Sequence, residues 1–382
     1  MVGKVSVLIP TFNRARYIGE CIDSVLGQTL PPHQVIVIDD GSNDGTSAVL
    51  QLYGARITVL RKSNGGKSSA LNLGMKHVTG DFVWIFDDDD VALPNSIELR
   101  LETLRGRPEL GFIFSAHYYG RNAADGNIQR GARYNMRARP EPDIFGELMS
   151  GFFFTLNSLL ARTECYRAVG DFDETLLRSQ DYDMMIRLAR RFACAGLNEP
   201  TYILRRHTGE RGPGQLRHSG LSRESIWVKY DQQIGRRIRE QFALEEFLPG
   251  LQNITADPFS RRKALLRRMV VMASKGLISE MLDDLEMAMV DQDLGGLTVE
   301  ERNIVRGAIY HFYFGMELPA KKQEFIRRLR GVAMTHAGRG AIASFARSFL
   351  WLASSTEGSL GLRASRLLMC VRLALLSLPF PR

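Results

Sequence analysis

The densest chemistry in the sequence is four consecutive carboxylates, Asp87 to Asp90, placed directly after the apolar run Val83-Trp84-Ile85-Phe86. An acidic run is commonly a solvated surface feature. A buried strand, however, delivers this one to the carboxyl edge of a sheet, where like charges crowd and raise one another's pKa unless a cation neutralises them. A hard divalent ion, Mg²⁺ or Mn²⁺, held by Asp87 and Asp89 would do so and would take its remaining ligands from water and phosphate. A second apolar run, Val35 to Ile38, ends in Asp39-Asp40, followed by Gly41-Ser42-Asn43-Asp44-Gly45-Thr46. It reads either as a strand-to-helix turn capped by Asp44 or Thr46, or as carboxylates accepting hydrogen bonds from a ribose hydroxyl or a nucleobase N–H. A third segment, Asn64-Gly65-Gly66-Lys67-Ser68, opens a helix with glycines and a lysine, a combination that attracts phosphate. It is not a Walker loop, because Arg61 stands where the first glycine is required, and no Gly-x-Gly-x-x-Gly follows the first strand.

The elements that must position these groups alternate in type. Val5 to Ile9, Gln34 to Ile38, Ile57 to Leu60 and Phe82 to Phe86 read as strands; Ala15 to Leu26, Ser47 to Tyr53 and Ser68 to His77 read as helices. Continuous apolar strands between helices predict a largely parallel sheet covered on both faces. From about 95 to 215 the pattern is less regular, with a helix at Ser96 to Leu104, a strand at Gly111 to His117, a polar stretch at Arg121 to Arg139 and a helix at Tyr182 to Arg191. Beyond that, helical periodicity dominates Ser222 to Leu248, Arg261 to Gln292, Val299 to Phe314, Lys321 to Met334 and Ile342 to Leu352. A boundary near Gly212-Pro213-Gly214 divides a region 1–215, with halves 1–94 and 95–215, from an all-helical region 216–382.

Lys and Arg number 50 against 42 Asp and Glu, a net charge of +8 that suits an anionic partner without choosing one. No nucleic-acid-binding motif accompanies it, so no nucleic-acid partner is expected. The four cysteines, Cys21, Cys165, Cys194 and Cys370, lie far apart with no Cys-x-x-Cys, which fits a reducing compartment. The start of the chain lacks the apolar length and cleavage site of a signal peptide, and no uncharged run approaches a bilayer span. A cytoplasmic location is expected.

Taken together with Pro10-Thr11-Phe12-Asn13-Arg14 after the first strand, the three acidic and glycine-rich segments make roughly residues 4 to 210 resemble the family 2 glycosyltransferases of the GT-A fold. The resemblance implies an α/β class, a Rossmann-like mixed sheet that binds a nucleoside-diphosphate sugar. By its pattern Pro10, Thr11, Phe12, Asn13 and Arg14 with Asp39 and Asp40 hold the nucleoside, Asp40 reaching the base and Asp39 lying near the ribose. Asn64, Gly66 and Lys67 lie beside the donor, with Lys67 implied as a diphosphate or ribose contact, and Asp87, Asp88 and Asp89 form the Asp-x-Asp region, with Asp87 and Asp89 on the metal and Asp90 close by. Val169-Gly170-Asp171-Phe172-Asp173-Glu174 resembles the family's Gly-Gly-Phe-Asp-Glu, and Ser179-Gln180-Asp181-Tyr182-Asp183 its Glu-Asp-x-Asp, with Gln180 departing from glutamate and Asp181 implied as the general base. Taken alone, Asp181 reads as a helix N-cap. Leu204-Arg205-Arg206-His207 resembles the segment closing the catalytic domain, with His207 a further candidate metal ligand.

The implied activity is metal-dependent, inverting transfer of a sugar, from a UDP-sugar by preference, to a hydroxyl of a glycan or lipid-linked acceptor in polysaccharide synthesis. Gln-x-x-Arg-Trp and membrane-spanning helices, both found in processive synthases, do not occur, so limited sugar transfer is expected. The rivals are a sugar-1-phosphate nucleotidyltransferase, whose glycine-rich first loop does not occur between Pro10 and Arg14, and a non-catalytic glycan- or nucleotide-binding scaffold. In the helical region Arg261-Arg262-Lys263 and Arg267-Arg268 cluster, and the last segment carries arginines from Arg339 to Arg382 against Glu357 alone. That excess fits either a helical cap or oligomerisation surface, or peripheral contact with the inner face of a membrane through Leu367 to Leu378. On a helical projection Arg372 falls opposite Arg363 and is expected to spoil a clean amphipathic face.

Overall fold

The computed structural model of the chain describes residues 3–123, 128–134, 144–206, 223–249, 257–291, 293–355 and 360–378. The chain divides into two units, one built from Met1–Phe145 and Phe152–Trp227, the other from Gly146–Gly151 and Val228–Arg382.

The first unit opens with β1 (Val5–Thr11), α1 (Ile18–Leu26), β2 (Gln34–Asp39), α2 (Thr46–Gln51), β3 (Thr58–Arg61), α3 (Lys67–Met75) and β4 (Phe82–Ile85). Every residue of β1 and β4 is buried, because helices cover both faces of these strands and leave no face for water. In α1 the buried residues Ile18, Cys21, Ile22 and Val25 recur at three- and four-residue spacing and form one stripe against the sheet. Strands β3, β2, β1 and β4 are parallel neighbours in that order, so their carboxyl ends share one edge.

The chain continues through β5 (Val91–Ala92), α4 (Ser96–Gly106), β6 (Leu110–Asn122), β7 (Ile128–Arg133), α5 (Ile144–Ser150, which from Gly146 belongs to the second unit), β8 (Leu160–Arg162), α6 (Thr163–Val169), α7 (Gln180–Arg191) and β9 (Ala193–Arg205). The spatial order is β3-β2-β1-β4-β8-β6-β9-β5, with β7 on β6. β8 runs antiparallel to both β4 and β6, which makes the sheet mixed, whereas β6 and β9 pair in parallel. Strand β9 has no counterpart in the sequence reading. Its Gly196-Leu197-Asn198-Glu199-Pro200 stretch breaks any period, and the pairing absorbs it through register shifts around Ser115 and Ala116. β6 likewise extends five residues past His117.

Two side chains lock the centre of this sheet. Trp84 donates to the Asn157 carbonyl at 2.7 Å, and the fully buried Arg100 guanidinium lies 4.1 Å from its ring while donating to the carbonyls of Ser96 and Ser158. Burial lowers Arg100 to about 9.

The second unit is helical: α8 (Arg223–Gln241), α9 (Pro258–Ser274), α10 (Ile278–Ala288), α11 (Val299–Gly307), α12 (Phe312–Val332), α13 (His336–Ser354) and α14 (Leu360–Leu376). The helical periodicity over 261 to 292 belongs to two helices, because Gly276 adopts φ +69, a left-handed conformation that follows the end of α9 and turns the chain into α10. Thr298 and Glu301 form a capping box at α11, and Asp257 caps α9 ahead of Pro258. The basic clusters at 261–263 and 267–268 do not form one free cationic face. Arg262 pairs bidentately with Glu301 at 2.7 and 2.9 Å inside the core, Lys263 pairs with Glu300 and Arg268 with Asp284.

Candidate functional site

The site forms where the parallel strands end. Thr11 closes β1 opposite Asp39 of β2, and β4 runs from Ile85, beside Leu8, into Phe86 and the acidic run. Asn13 follows at φ 55, a left-handed position that asparagine tolerates better than most residues. Its side-chain oxygen accepts from the Asn43 N–H at 2.9 Å, and its own N–H donates to the Ser42 hydroxyl at 2.9 Å, so the turns after β1 and β2 hold each other. Arg14 N–H donates to Thr46, and its guanidinium stands 3.5 Å from Asp88.

The two carboxylates ending β2 are both buried and both engaged. Asp39 accepts from the Ser42 N–H at 2.8 Å and the Ser47 hydroxyl at 3.1 Å. Asp40 accepts from the Gly65 N–H at 2.9 Å, the Gly66 N–H at 2.7 Å and the Lys62 ammonium at 2.8 Å. Asp40 therefore organises the glycine turn at Asn64–Gly66, while the left-handed Gly41 (φ +82) lets that turn approach, since a β-carbon there would meet the Asn64 nitrogen at 2.9 Å. Asp44 bonds the Thr46 N–H and hydroxyl and so holds the turn ahead of α2, but Gly45 takes the N-cap position expected of Asp44 or Thr46.

Asp87, Asp88 and Asp90 of the acidic run each have a separate partner for the carboxylate. Asp87, half-buried, receives the Lys67 ammonium. Asp88 faces Arg14. Asp90 accepts from the Asn157 amide and from the Arg205 N–H at 2.8 Å, and so fastens the end of β9 to the end of β4. The Asp89 carbonyl accepts from Arg205 Nε at 2.7 Å. Burial, and then the Asp89 carboxylate, push Asp88 up to about 7 against the lowering effect of Arg14. Cys21, whose thiol lies 3.4 Å from the Asp87 carbonyl, is raised well above its ordinary value by burial and then by all four aspartates. The locus is strongly negative.

Lys67 begins α3. Burial alone would lower its ammonium, but Asp87 and then Asp181 outweigh that and raise its pKa. Asp181 lies in the first turn of α7, one residue inside the helix rather than at its cap, and accepts from the Tyr182 N–H at 3.0 Å. Burial raises its pKa first, with Lys67 lowering it and Asp87 raising it. Asp87, Lys67 and Asp181 thus share one electrostatic neighbourhood, drawn from β4, α3 and α7.

Several residues that assemble this neighbourhood were not singled out by sequence. Asn72 of α3, buried, donates to the Phe172 carbonyl at 3.0 Å and Glu174 at 2.9 Å and accepts from the Phe172 N–H at 2.8 Å. It anchors the loop leading to Asp181. Arg187 holds the same loop by donating to Asp183 and to the carbonyls of Val169 and Asp171. Arg205, fully buried, reaches Asn122 and Glu20 besides Asp89, with its guanidinium 5.0 Å from the Tyr17 ring. Its signals in the sequence were a place in the closing segment Leu204-Arg205-Arg206-His207, where His207 drew the attention, and a charge ending the apolar run Tyr202-Ile203-Leu204. Asn72 had none. His207 and Gly212 to Gly214 lie outside the described residues.

Among the described residues no group of three or more His, Cys, Asp and Glu side chains is arranged to hold a metal ion. Asp87 and Asp89 supply two carboxylates in a locus negative enough to raise Asp88 and Cys21, which is the donor set a Mg²⁺ or Mn²⁺ ion uses when phosphate oxygens and water complete its shell.

The family model for glycosyl transferase family 2 matches residues 6–163. An uncharacterized glycosyltransferase of Rickettsia bellii is 29% identical over 277 residues, covering 69% of this chain and 39% of that protein. A second, from Rickettsia prowazekii, is 33% identical over 195 residues, or 49% of this chain and 58% of its own. The hyaluronan synthase of Pasteurella multocida is 27% identical over 247 residues, 64% of this chain and 24% of that enzyme. The chain therefore spans from about a quarter to under two thirds of the length of these curated relatives. Among solved structures, S. aureus TarS 1–349 in complex with UDP-GlcNAc aligns at TM-score 0.54 and 15% identity over 97% of this chain and 89% of that one, a likeness of fold. Residues 6–163 thus match glycosyl transferase family 2, and the mixed sheet together with the TarS likeness gives the chain a GT-A fold.

Proposed function

We propose that this protein transfers a sugar from a nucleoside-diphosphate donor, a UDP-sugar by preference, to a hydroxyl of a glycan or lipid-linked acceptor, with inversion at the anomeric carbon and in the service of polysaccharide synthesis. The observation that carries the reading is the meeting of Asp87, Lys67 and Asp181 beside the strand ends of β1 and β2. The names of relatives, hyaluronan and chondroitin synthases, and the UDP-GlcNAc bound in TarS support the choice of donor and product class.

The nucleoside lies over the turns of Pro10 to Arg14, with Asp39 and Asp40 shaping the floor beneath it. The Lys67 ammonium and the N–H groups at the start of α3 meet the diphosphate. A divalent ion held by Asp87 and Asp89 would neutralise charge on the leaving diphosphate. The Asp181 carboxylate takes the proton from the acceptor hydroxyl, whose oxygen forms the bond to the anomeric carbon while the bond to the diphosphate oxygen breaks and that oxygen keeps the electron pair. Attack from the opposite face inverts the centre, so an α-linked donor yields a β-glycoside. Burial suits Asp181 to this task, because a raised pKa makes a carboxylate a stronger base.

Four free thiols fit the reducing cytoplasm as the place of action. The test is diphosphate release from a panel of nucleotide sugars, with and without EDTA. Release with one donor, lost in EDTA and in Asp89→Ala at unchanged circular dichroism, is expected. Full activity in excess chelator overturns the metal assignment, and no turnover of any donor with Mg²⁺ or Mn²⁺ and glycan acceptors overturns the transferase reading.

A further inference from the structure

Helix α14 packs on α13 with one narrow face. Met369 and Leu373, one turn apart, are its buried residues, and Arg366 on the same side donates to the Leu352 carbonyl at the end of α13. Turning from Leu373 at about 100° per residue, Ala374, Leu367, Val371, Ala364, Leu375 and Leu368 fall in that order on one arc of about 120° on the far side. All are apolar, and all face solvent: Leu367 is 48% exposed, Leu368 50%, Val371 49% and Leu375 65%, and Leu378, just past the helix end, is 58% exposed. Single exposed leucines need no explanation, but a continuous stripe about 17 Å long does.

The position of the arginines identifies what covers it. Arg363 and Arg372 lie about 80° and 100° to either side of the centre of the stripe, so they border it. The expectation that Arg372 spoils the face is corrected on this point: with Met369 and Leu373 facing α13, the apolar arc between the two arginines is unbroken. Residues 360–378 include three arginines and no acid. A second copy of this helix laid on the stripe would bring like-charged borders together, whereas an anionic surface complements both. An apolar face flanked at about a right angle by long cationic side chains is the pattern of a helix lying in the plane of a membrane interface, its leucines among acyl chains and its guanidinium groups at the level of the phosphates. Among the described residues no helix is long and apolar enough to cross a membrane.

We infer that α14 is a monotopic membrane-binding face that docks this chain on an anionic phospholipid surface. The inference does not depend on the transferase reading, because binding is measured without donor. If both hold, the acceptor belongs to the lipid-linked of the two classes.

Co-sedimentation of the full chain with vesicles of phosphatidylcholine alone, and of an equal mixture with phosphatidylglycerol, tests it. Binding to the mixed vesicles that falls with added salt, and that Leu367→Glu with Leu375→Glu weakens at least tenfold at unchanged circular dichroism, is expected. Should that double variant misfold, Arg363→Gln with Arg372→Gln serves in its place and lowers binding to the mixed vesicles alone. No binding at low salt, equal binding by wild type and variants, or a dimer of the free chain that the same substitutions dissociate while vesicles stay unbound, each overturns the inference.

Discussion

Replacing Arg205 by methionine keeps the buried stem and removes the guanidinium, and the cost can be worked from its partners. The Asp89 carbonyl loses a 2.7 Å donor and the buried side of Asn122 loses another, each worth about 1–3 kcal/mol when left unsatisfied. Glu20 is 31% exposed, so it recovers water and contributes about 1 kcal/mol at most. The cation over the Tyr17 ring adds roughly 1 kcal/mol. Because the groups share one network the terms do not simply add, and a loss of about 4 kcal/mol for the first unit is the expectation. With a urea dependence of about 2–3 kcal/mol per molar, the midpoint falls by roughly 1.5–2 M. Fluorescence of Trp84, fully buried in this unit, reads the transition. Glu20→Gln, which keeps an acceptor for the guanidinium, should cost about 1 kcal/mol or less. A shift below about 1 kcal/mol for Arg205→Met, or equal losses for the two variants, would show that the buried guanidinium does not tie β4 to β9.

Three further outcomes are expected. Asp181→Asn should lower turnover by about 10²- to 10⁴-fold at saturating donor and acceptor, and wild-type turnover would remove it as the base. Asn72→Leu strands the Phe172 N–H and carbonyl, so it should cost roughly 2–3 kcal/mol in urea unfolding and lower turnover through displacement of the loop that carries Asp181; unchanged stability would refute the tether. His117 is held down to about 4 by burial and the Arg206 guanidinium, so it stays neutral in the fold while the unfolded chain takes up a proton below about 6.5. Its contribution is therefore complete above that pH and is lost between about 6.5 and 4 at up to about 1.4 kcal/mol per unit, and stability-against-pH curves of wild type and His117→Phe that run parallel over that window would refute it.

The parallel half of the sheet was legible because its strands are uninterrupted apolar runs ending in turn residues, and burial on both faces demands that composition. Burial of β1, β2 and β4 follows from the same runs. The mixed half was legible only in part. β9 owes its strand conformation to its partner β6 rather than to its own Gly-Leu-Asn-Glu-Pro stretch, and pairing with a distant segment leaves no local trace. The same holds at the site. Asp39, Asp40, Asp87 and Asp89 announce themselves by following apolar runs, while Asn72 and Arg205 act through backbone groups 100 or more residues away, which no spacing encodes. Helix α14 shows the opposite failure: its arginines were visible, but which side of the helix faced the protein was not, and that orientation decides whether Arg372 interrupts the stripe or bounds it.

The two halves of the sheet contribute to the site by different physical routes. In the parallel half, topology does the gathering: strands that run the same way must end at one edge, so Thr11, Asp39 and Asp87 converge although they are far apart in sequence, and Lys67 arrives at the same edge because α3 starts there. The side-chain ties of that half, from Asn13 to Asn43 and from Asp40 to Gly65 and Gly66, join turns whose edge the ladder has already set. In the mixed half that rule is interrupted, since β8 runs against both β4 and β6 and α7 starts wherever its loop is held. There the position of Asp181 depends on the side-chain anchors at Asn72 and Arg187, and the end of β9 depends on Asp90 and Arg205. One of the four clustered carboxylates is thus committed to scaffold, and two are balanced by Arg14 and Lys67. Because these anchors are single side chains rather than a ladder, the mixed half is where substitutions remote from the chemistry are expected to misplace it.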